Sequence, residues 1–445
     1  AKLPKRQNCT FFESAAQAEA AGYRPCLQCR PELAPGMAPV DSERTLAKRA
    51  ARVLREECGA PVDFEALAGR LGYTDRHLRR AFADEFGVTP NQYLQTCRLL
   101  LAKQLLTTTD LRVSRIAEMV GFGSTRQFNA VFKKHYSLTP TSLRHGRRAL
   151  EGGEATVVEL DYRPPFAWDR LLGFLELRAI PGVEVVRDGT YYRTAHLPDA
   201  CGGVARGWIS VRPQQGRNRV EVRVPASLLG VLPQVIARVR HQFDLDCNPE
   251  AIGEGLRGFA ERFPDAYLPG TRLPGCFDAF EMCVRAVLGQ QISVKGASTL
   301  AGRVAERLGA PVDSPVEGIR CTFPSAEDVA GLGDGVQDAL GSLGIVGART
   351  RTIGALARAL SQGSIDLSYG ADPDAVIPAL LELPGIGPWT AQYVSMRATG
   401  NPDAFPATDL GVRKALDGLS QKEIEAVAEG WRPWRSYATM NLWSH

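Results

Sequence analysis

The residue best placed for chemistry by its type and spacing is an aspartate that follows a glycine-rich turn. The turn reads Pro-Gly-Ile-Gly-Pro over residues 384–388, Trp389 comes next, and Asp409 lies twenty residues further on. Glycines permit a tight turn between two helices, and the amides at the start of the second helix can face a phosphate group. The carboxylate of Asp409 could stabilise a developing positive charge, or it could simply cap the helix that follows.

A second candidate for chemistry is the pair of cysteines at Cys26 and Cys29. Thiolates at this spacing can hold two corners of a tetrahedral zinc site. No second pair lies nearby, and only Cys9 is close. From spacing alone, half a metal site and two ordinary thiols both remain open. Ten cysteines in 445 residues are too few for a disulfide scaffold, so we expect reduced thiols and a cytoplasmic protein.

Length and composition predict a globular protein of two to four domains, with 44% hydrophobic and 23% charged residues. No apolar run approaches the roughly 18 residues of a membrane span, so we expect no membrane partner. The net charge of +4 is unevenly distributed. Residues 1–150 carry 24 Lys and Arg against 14 Asp and Glu, and the remainder carries 29 against 35. The basic third indicates a polyanionic partner, with a solvated basic surface as the alternative.

Residues 42–145 contain an internal repeat with an offset of 49 to 50 residues. The repeated elements are Leu67-Ala68 and Ile116-Ala117, Gly72-Tyr73 and Gly121-Phe122, Phe82 and Phe132, Thr89-Pro90 and Thr139-Pro140. Each copy predicts a helix, a glycine turn and a second helix. The second helices carry polar and basic side chains on the face away from the core: Arg76, Arg79, Arg80, Thr125, Arg126, Asn129 and Lys133. This pattern favours a helix–turn–helix that enters the major groove of DNA; a hairpin packed against protein is the alternative.

The remaining chain divides by pattern into three parts. Residues 146–155 contain Gly152-Gly153 and mixed charge and are predicted to be a linker. Residues 156–228 include strand-like segments at 156–160, 183–186 and 219–224, which predict a small α+β unit. Residues 229–445 are predicted to be helical. The expected fold class is therefore multidomain and mainly α.

The N-terminal third resembles two known families. The tandem repeat resembles the AraC-type regulatory domain, which implies promoter DNA and RNA polymerase as partners. Residues 1–40 resemble the zinc domain of the alkylation-response regulator Ada, through Phe11-Phe12, Ala20-Ala21-Gly22-Tyr23-Arg24-Pro25-Cys26 and Cys29-Arg30-Pro31. Cys26 and Cys29 match the last two of four zinc ligands. The first two, which include the methyl acceptor, would precede Ala1, so weak or absent zinc binding is expected and methyl acceptance is assigned to no residue.

Residues 156–445 resemble 3-methyladenine DNA glycosylase II of the AlkA type, a helix–hairpin–helix glycosylase. The matching stretches are Pro164–Trp168, Leu172–Leu175, Phe243–Pro249, Arg272–Glu281, Leu288–Val294, Leu383–Ala391 and Trp431–Ala438. Together with the N-terminal match, nearly the whole chain resembles an Ada–AlkA fusion.

The resemblance implies roles for particular residues. Asp409 would be the catalytic carboxylate, and Gly385 and Gly387 would belong to the DNA-binding hairpin. The base pocket would comprise Trp389, Tyr393, Trp443 and Phe174, although aromatics at helical spacing are also typical of an ordinary core. Leu410 stands where a well-known member has an aromatic residue. Gln291 would fill the gap left by a flipped base, with a buried amide as the alternative. The carbonyls of Leu381, Leu383 and Ile386 would hold a monovalent cation.

Two family features are absent from this sequence. Trp389 stands where bifunctional relatives carry a lysine nucleophile, so no lyase activity is expected. Cysteine does not occur after Cys321, so the four-cysteine iron–sulfur loop of some relatives is not expected.

Three functions are consistent with these patterns. The leading hypothesis is a monofunctional glycosylase that releases alkylated bases from double-stranded DNA, joined to a transcriptional regulator of the alkylation response. The second is a regulator whose glycosylase half only senses or clamps damaged DNA; a catalytic carboxylate would be superfluous there. The third is a glycosylase for deaminated or oxidised bases, which an electron-rich aromatic pocket would not favour, because these bases are neutral.

Overall fold

A computed structural model describes residues 9–12, 14–26, 46–109, 111–144, 155–199 and 202–443. These residues form many helices and a five-stranded antiparallel sheet. The predicted class, multidomain and mainly α, is confirmed. Cys29 and residues 145–154, the predicted linker apart from Ala155, lie outside the described residues.

The N-terminal part is helical and contains the predicted repeat. Its helices are α1 (Ala15–Ala20), α2 (Leu46–Glu56), α3 (Phe64–Arg70), α4 (Asp75–Phe86), α5 (Pro90–Thr108), α6 (Val113–Met119), α7 (Thr125–Tyr136) and α8 (Pro140–Arg144). The turns α3–α4 and α6–α7 each contain a glycine in the left-handed region, Gly72 at φ +82° and Gly121 at φ +77°. Thr74 and Ser124 then cap α4 and α7 through their hydroxyls.

Burial in the two helix–turn–helix units follows the predicted faces. In α4 the buried side chains are Leu78, Phe82 and Phe86. In α7 they are Phe128, Phe132 and Tyr136, whose rings pack in sequence along the helix. The opposite faces are exposed, so each second helix presents its polar side to solvent.

The sheet and one helix come next in the chain. Its elements are β1 (Ala155–Asp161), α9 (Trp168–Leu177), β2 (Glu184–Arg187), β3 (Thr190–Pro198), β4 (Val204–Pro213) and β5 (Arg219–Pro225). The strand order is β1-β5-β4-β3-β2, and Val158 pairs with Val222 in the β1–β5 register. The sequence pattern had indicated β1, β2 and β5 but not β3 and β4. Five consecutive residues of β4 are buried, so this strand lacks the alternation that marks a half-exposed strand.

The C-terminal part is helical, as predicted. Its helices are α10 (Leu232–Gln242), α11 (Pro249–Gly255), α12 (Arg257–Arg262), α13 (Ala279–Leu288), α14 (Val294–Leu308), α15 (Ala326–Ala330), α16 (Val336–Gly341), α17 (Gly347–Ser361), α18 (Pro373–Leu381), α19 (Pro388–Ala398), α20 (Leu410–Ala415), α21 (Gln421–Glu429) and α22 (Arg435–Leu442). A short 3-10 helix at Ala226–Val231 leads into α10.

The repeat packs directly against the sheet. One hydrophobic cluster includes Phe128 and Phe132 of α7 together with Val158 of β1 and Val222 of β5. In addition, the side-chain amide of Gln104 in α5 donates to the carbonyl of Glu159 in β1 at 3.1 Å. The two parts therefore share a core rather than only a connecting segment.

The buried side chain of Asp244, which follows α10, connects the last helix to the segment before α13. Asp244 Oδ2 accepts hydrogen bonds from the hydroxyl of Tyr437 at 2.9 Å and from the amide of Leu273 at 3.0 Å. Burial raises the pKa of Asp244 to about 6, although Arg272 beside it acts in the opposite direction. The native state therefore retains a proton on this group at pH values where the unfolded chain has lost it.

This shift predicts a pH-dependent stability difference for Asp244→Asn. Between about pH 4 and 6 the native wild-type protein binds more protons at Asp244 than the unfolded chain does. Wild type should therefore gain stability relative to the variant as the pH falls through this window, by up to about 3 kcal/mol. Urea unfolding of both proteins at pH 4.5, 5.5 and 7 measures the difference. A difference that does not change with pH would contradict the assignment.

Candidate active site

The glycine-rich turn joins α18 to α19 as a hairpin. Gly385 has φ +81°, which strains any other residue. A Cβ added there would collide with the hydroxyl of Thr352 in α17. Within the turn, the amide of Ile386 donates to the carbonyl of Leu383 at 3.2 Å. Gly385 is therefore required by both conformation and space.

Gly387 has a different role from Gly385. It is the N-cap of α19 with an ordinary φ of −97°, and no atom lies within 4 Å of a Cβ added to it. The surface in front of α19 is thus open. Because the first amides of a helix have no partners within the helix, they can donate hydrogen bonds to a phosphate at this position.

Asp409 lies where three helices meet. Its Oδ1 accepts from the amides of Gly411 at 2.8 Å and Val412 at 3.2 Å, and from the indole nitrogen of Trp443 at 2.7 Å. Its Oδ2 accepts from the indole nitrogen of Trp389 at 2.9 Å. The N-cap role that the sequence suggested is present in the structure, and the same carboxylate also bonds two tryptophans. Oδ1 caps α20 and also bonds Trp443, whereas among the described residues Oδ2 accepts from Trp389 alone.

The predicted pocket aromatics come together around this carboxylate. Trp389 and Tyr393 stack with ring centroids 5.1 Å apart, and Tyr393 lies 5.9 Å from Trp443. The rings of Phe174 and Trp443 are nearly parallel, with centroids 6.3 Å apart. Trp389 and Trp443 are half-buried, and Leu410 is 66% exposed. The arrangement is an aromatic wall beside a carboxylate, which can receive a flat, electron-poor ring.

Arginines behind this wall were not identified by the sequence patterns. The guanidinium of Arg178 lies 3.7 Å from the ring centroid of Phe174, and that of Arg397 lies 4.8 Å from it. Arg397 also donates to the hydroxyl of Tyr393 at 2.9 Å. Arg178 directly follows α9 and Arg397 belongs to α19, so local sequence offers no signal for their meeting.

The two neighbouring glutamines differ in environment. The amide of Gln290 donates to the carbonyl of Gly385 and to the hydroxyl of Thr390, both at 3.0 Å. Gln291 is exposed and has φ +58°. Arg349 donates to the carbonyl of Gln290. Gln290 thus connects the loop after α13 to the hairpin by hydrogen bonds. The side chain of the adjacent Gln291 is exposed to solvent.

The remaining predicted residues lie elsewhere. Arg76 and Arg79 on α4 are exposed, and Arg79 pairs with Asp75 at 2.7 Å. On α7 the exposed residues are Arg126, Asn129 and Lys133, whereas Thr125 is half-buried. Both sets lie on the second helices of the repeat. In the sequence they are far from the residues of the aromatic wall.

One of the two predicted zinc ligands lies within the described residues. Cys26 is exposed, and its carbonyl accepts from Lys103 at 2.8 Å. Within the described ranges, no three His, Cys, Asp or Glu residues gather as a metal-binding group. The described helices also include none with the length and apolar character that a membrane span needs.

Four family models match the chain. They are the metal binding domain of Ada over residues 1–32, a helix-turn-helix domain over 67–146, the AlkA N-terminal domain over 157–278, and the HhH-GPD superfamily of base excision DNA repair proteins over 284–432. A 3-methyladenine DNA-glycosylase from Archaeoglobus fulgidus has a similar fold, with a TM-score of 0.53 and 23% identity over 64% of this chain and 97% of its own. Fold and site together define a helix–hairpin–helix DNA glycosylase joined to a helix–turn–helix module.

Two relatives identify the family within this class. A probable bifunctional transcriptional activator/DNA repair enzyme AlkA of Mycobacterium tuberculosis is 37% identical over 99% of this chain and 88% of its own length. DNA-3-methyladenine glycosylase 2 of Escherichia coli is 35% identical over 64% of this chain and 95% of its own. The chain belongs to the AlkA family of bifunctional transcriptional activators and DNA repair enzymes.

The two hairpin glycines should respond differently to a methyl group. Gly385→Ala is expected to lower the free energy of unfolding by at least ~1 kcal/mol, because its φ is left-handed and Thr352 occupies the space. Gly387→Ala should stay within ~0.5 kcal/mol of wild type, since its surroundings are open. Urea unfolding of the two variants in parallel provides a matched comparison. Equal losses would show that the hairpin is not held as described.

Proposed function

We propose that this protein hydrolyses the N-glycosidic bond of alkylated bases of the 3-methyladenine type in double-stranded DNA, and that it also regulates transcription of the alkylation response. The observation that carries the catalytic half is the carboxylate of Asp409, held by four N–H donors beside Trp389 and Trp443. A module that only bound DNA would not need a fixed carboxylate beside these aromatic side chains.

The proposed reaction begins with extrusion of the damaged base from the duplex. The amides at the start of α19 bind a phosphate, and Gln291 fills the space that the base leaves. The exposed side chain of Gln291 and the bonds of Gln290 to Gly385 and Thr390 support this role. Because one short segment contacts the hairpin and carries the wedge, phosphate binding and extrusion are expected to occur together.

Bond cleavage in this proposal depends on charge. Alkylation at N3 or N7 makes a purine cationic, so it leaves readily and is attracted to the π faces of Trp389, Tyr393 and Trp443. As the base departs, positive charge develops on the sugar, and Asp409 stabilises it through space. Asp409 also aligns the water that completes the hydrolysis. Every donor to its carboxylate is an N–H group, which fixes both oxygens in place.

The regulatory half rests on the paired helix–turn–helix units. We propose that α4 and α7 enter successive major grooves of promoter DNA, with Arg76 and Arg79 on one and Thr125, Arg126, Asn129 and Lys133 on the other. RNA polymerase is the expected partner of such an activator. The proposed division of the chain is 1–40, 42–145, 146–155, 156–228 and 229–445.

The proposal also includes a zinc ion and a monovalent cation, neither of which takes part in the catalytic steps. Cys26 and Cys29 match two of the four ligands of an Ada-type zinc site, so weak or absent zinc binding is proposed for residues 1–40. The carbonyls of Leu381, Leu383 and Ile386 would hold a monovalent cation at the hairpin. That charge would add to the attraction of the α19 amides for a phosphate.

The catalytic assignment predicts the behaviour of Asp409→Asn. Asparagine still caps a helix, so the variant should fold and bind abasic DNA. Loss of the negative charge should slow release of 3-methyladenine by at least ~100-fold, the scale of a major electrostatic stabiliser. Single-turnover release from alkylated DNA measures the effect. Asp417→Asn, at an exposed site on the loop after α20, is the matched control and should match wild type.

The absence of an amine at the nucleophile position predicts a negative trapping experiment. Trp389 uses its indole N–H to bond Asp409 and offers no nucleophile for the sugar. Borohydride should therefore trap no covalent complex with abasic DNA, and the strand should remain intact after base release. A lysine-dependent glycosylase treated in parallel is the positive control. A trapped adduct on this chain would refute monofunctional hydrolysis.

A further inference from the structure

A cluster of three arginines lies behind the aromatic wall. Arg178, Arg285 and Arg397 surround Tyr393, whose ring stacks on Trp389. These side chains come from the end of α9, from α13 and from α19. Positive charge at this place is unexpected, because the wall in front of it is suited to a cationic base.

The three charges are compensated to different extents. Arg285 pairs with two buried carboxylates, Glu184 at 2.9 Å and Glu281 at 3.5 Å. Arg397 donates to neutral oxygens, namely the carbonyls of Pro274 and Gly275 and the hydroxyl of Tyr393. Those bonds hold a guanidinium in place but do not cancel its charge.

Arg178 likewise bonds to a neutral acceptor. It donates to the carbonyl of Phe174 at 3.3 Å while its guanidinium covers the ring of the same residue. Burial lowers the pKa of Arg178, and the charges of Arg397 and Arg285 lower it further, whereas Tyr393 acts in the opposite direction. The charged side chains that act on Arg178 are therefore the guanidiniums of Arg397 and Arg285.

The surrounding charge is also felt by Tyr393. Although burial raises it, the pKa of this phenol is lowered from its ordinary value, because Arg397, Arg178 and Arg285 stabilise the phenolate. The same positive potential acts on any base placed against the wall. Phe174 in particular already contacts two guanidiniums, so it has little cation–π attraction left for a third cation.

We propose that Arg178 is a specificity-determining residue, whose charge limits the preference of the pocket for cationic over neutral bases. The inference rests on the proposed function and refines its substrate class. Trp389 and Trp443 attract a cationic base, and Arg178 opposes that attraction from behind Phe174. A neutral base, such as a deaminated purine, feels neither effect strongly and is therefore retained as a substrate.

Arg178 is better suited to this role than its neighbours. It follows the last turn of α9 and is half-buried, whereas both of its neighbours are more deeply buried. Arg397 is 3% exposed and holds two backbone carbonyls, and Arg285 belongs to a buried ion network. Substitution of either would disturb packing together with charge.

The test compares Arg178→Gln with Arg178→Lys. Glutamine removes the charge and retains hydrogen-bond donors, whereas lysine retains the charge and loses the planar group. Single-turnover rate constants are measured for two duplexes that differ only in the damaged base, 7-methylguanine as the cation and hypoxanthine as the neutral base. The readout is the ratio of the two rate constants within each protein, which a general loss of packing would not move.

In Arg178→Gln the ratio of cationic to neutral release should rise by more than tenfold, because two unit charges about 7 Å apart interact by more than one tenfold step at an effective dielectric constant near 20. In Arg178→Lys the ratio should stay within threefold of wild type. Equal ratios in all three proteins, or no release of hypoxanthine by wild type, would overturn the inference. Failure of wild type to release either base would instead refute the proposed function.

Discussion

The candidate site depends on the hydrogen bonds that the carboxylate of Asp409 accepts. This carboxylate joins the start of α20 to Trp389 in α19 and to Trp443 after α22. These three elements are distant in sequence, and a single anion with four N–H donors sets their mutual orientation. Since a charged group that has lost part of its hydration needs such donors, the same bonds that keep Asp409 in place also position the aromatic wall.

Helix capping and the proposed catalytic role are compatible at Asp409 because its two oxygens have different hydrogen-bond partners. Oδ1 accepts from two backbone amides and one indole, and Oδ2 accepts from the indole of Trp389. A carboxylate that had to rotate toward a developing charge would lose entropy and bonds at that moment. Here the orientation is already set in the folded state, which is how electrostatic stabilisation becomes effective.

Around this anion the structure places charge of the opposite sign and a second fixed contact. The guanidiniums of Arg178 and Arg397 lie behind the wall, and the amide of Gln290 connects the surface loop to the hairpin. Under our proposal, Trp389 and Trp443 attract a cationic base, and Arg178 opposes that attraction. The shared core of the repeat and the sheet also means that the two halves of the chain are packed rather than tethered.

Much of this organisation was determined by the sequence itself. The repeat and its polar faces, the hairpin and the position of Asp409 are encoded in short patterns, because helical period, turn residues and caps act over a few residues. Tertiary structure alone decided the rest. The meeting of Arg178, Arg285 and Arg397, the different demands on Gly385 and Gly387, and the buried strand β4 depend on contacts between segments far apart in the chain. Local spacing carries no record of such contacts, since they arise only when the helices and the sheet pack together.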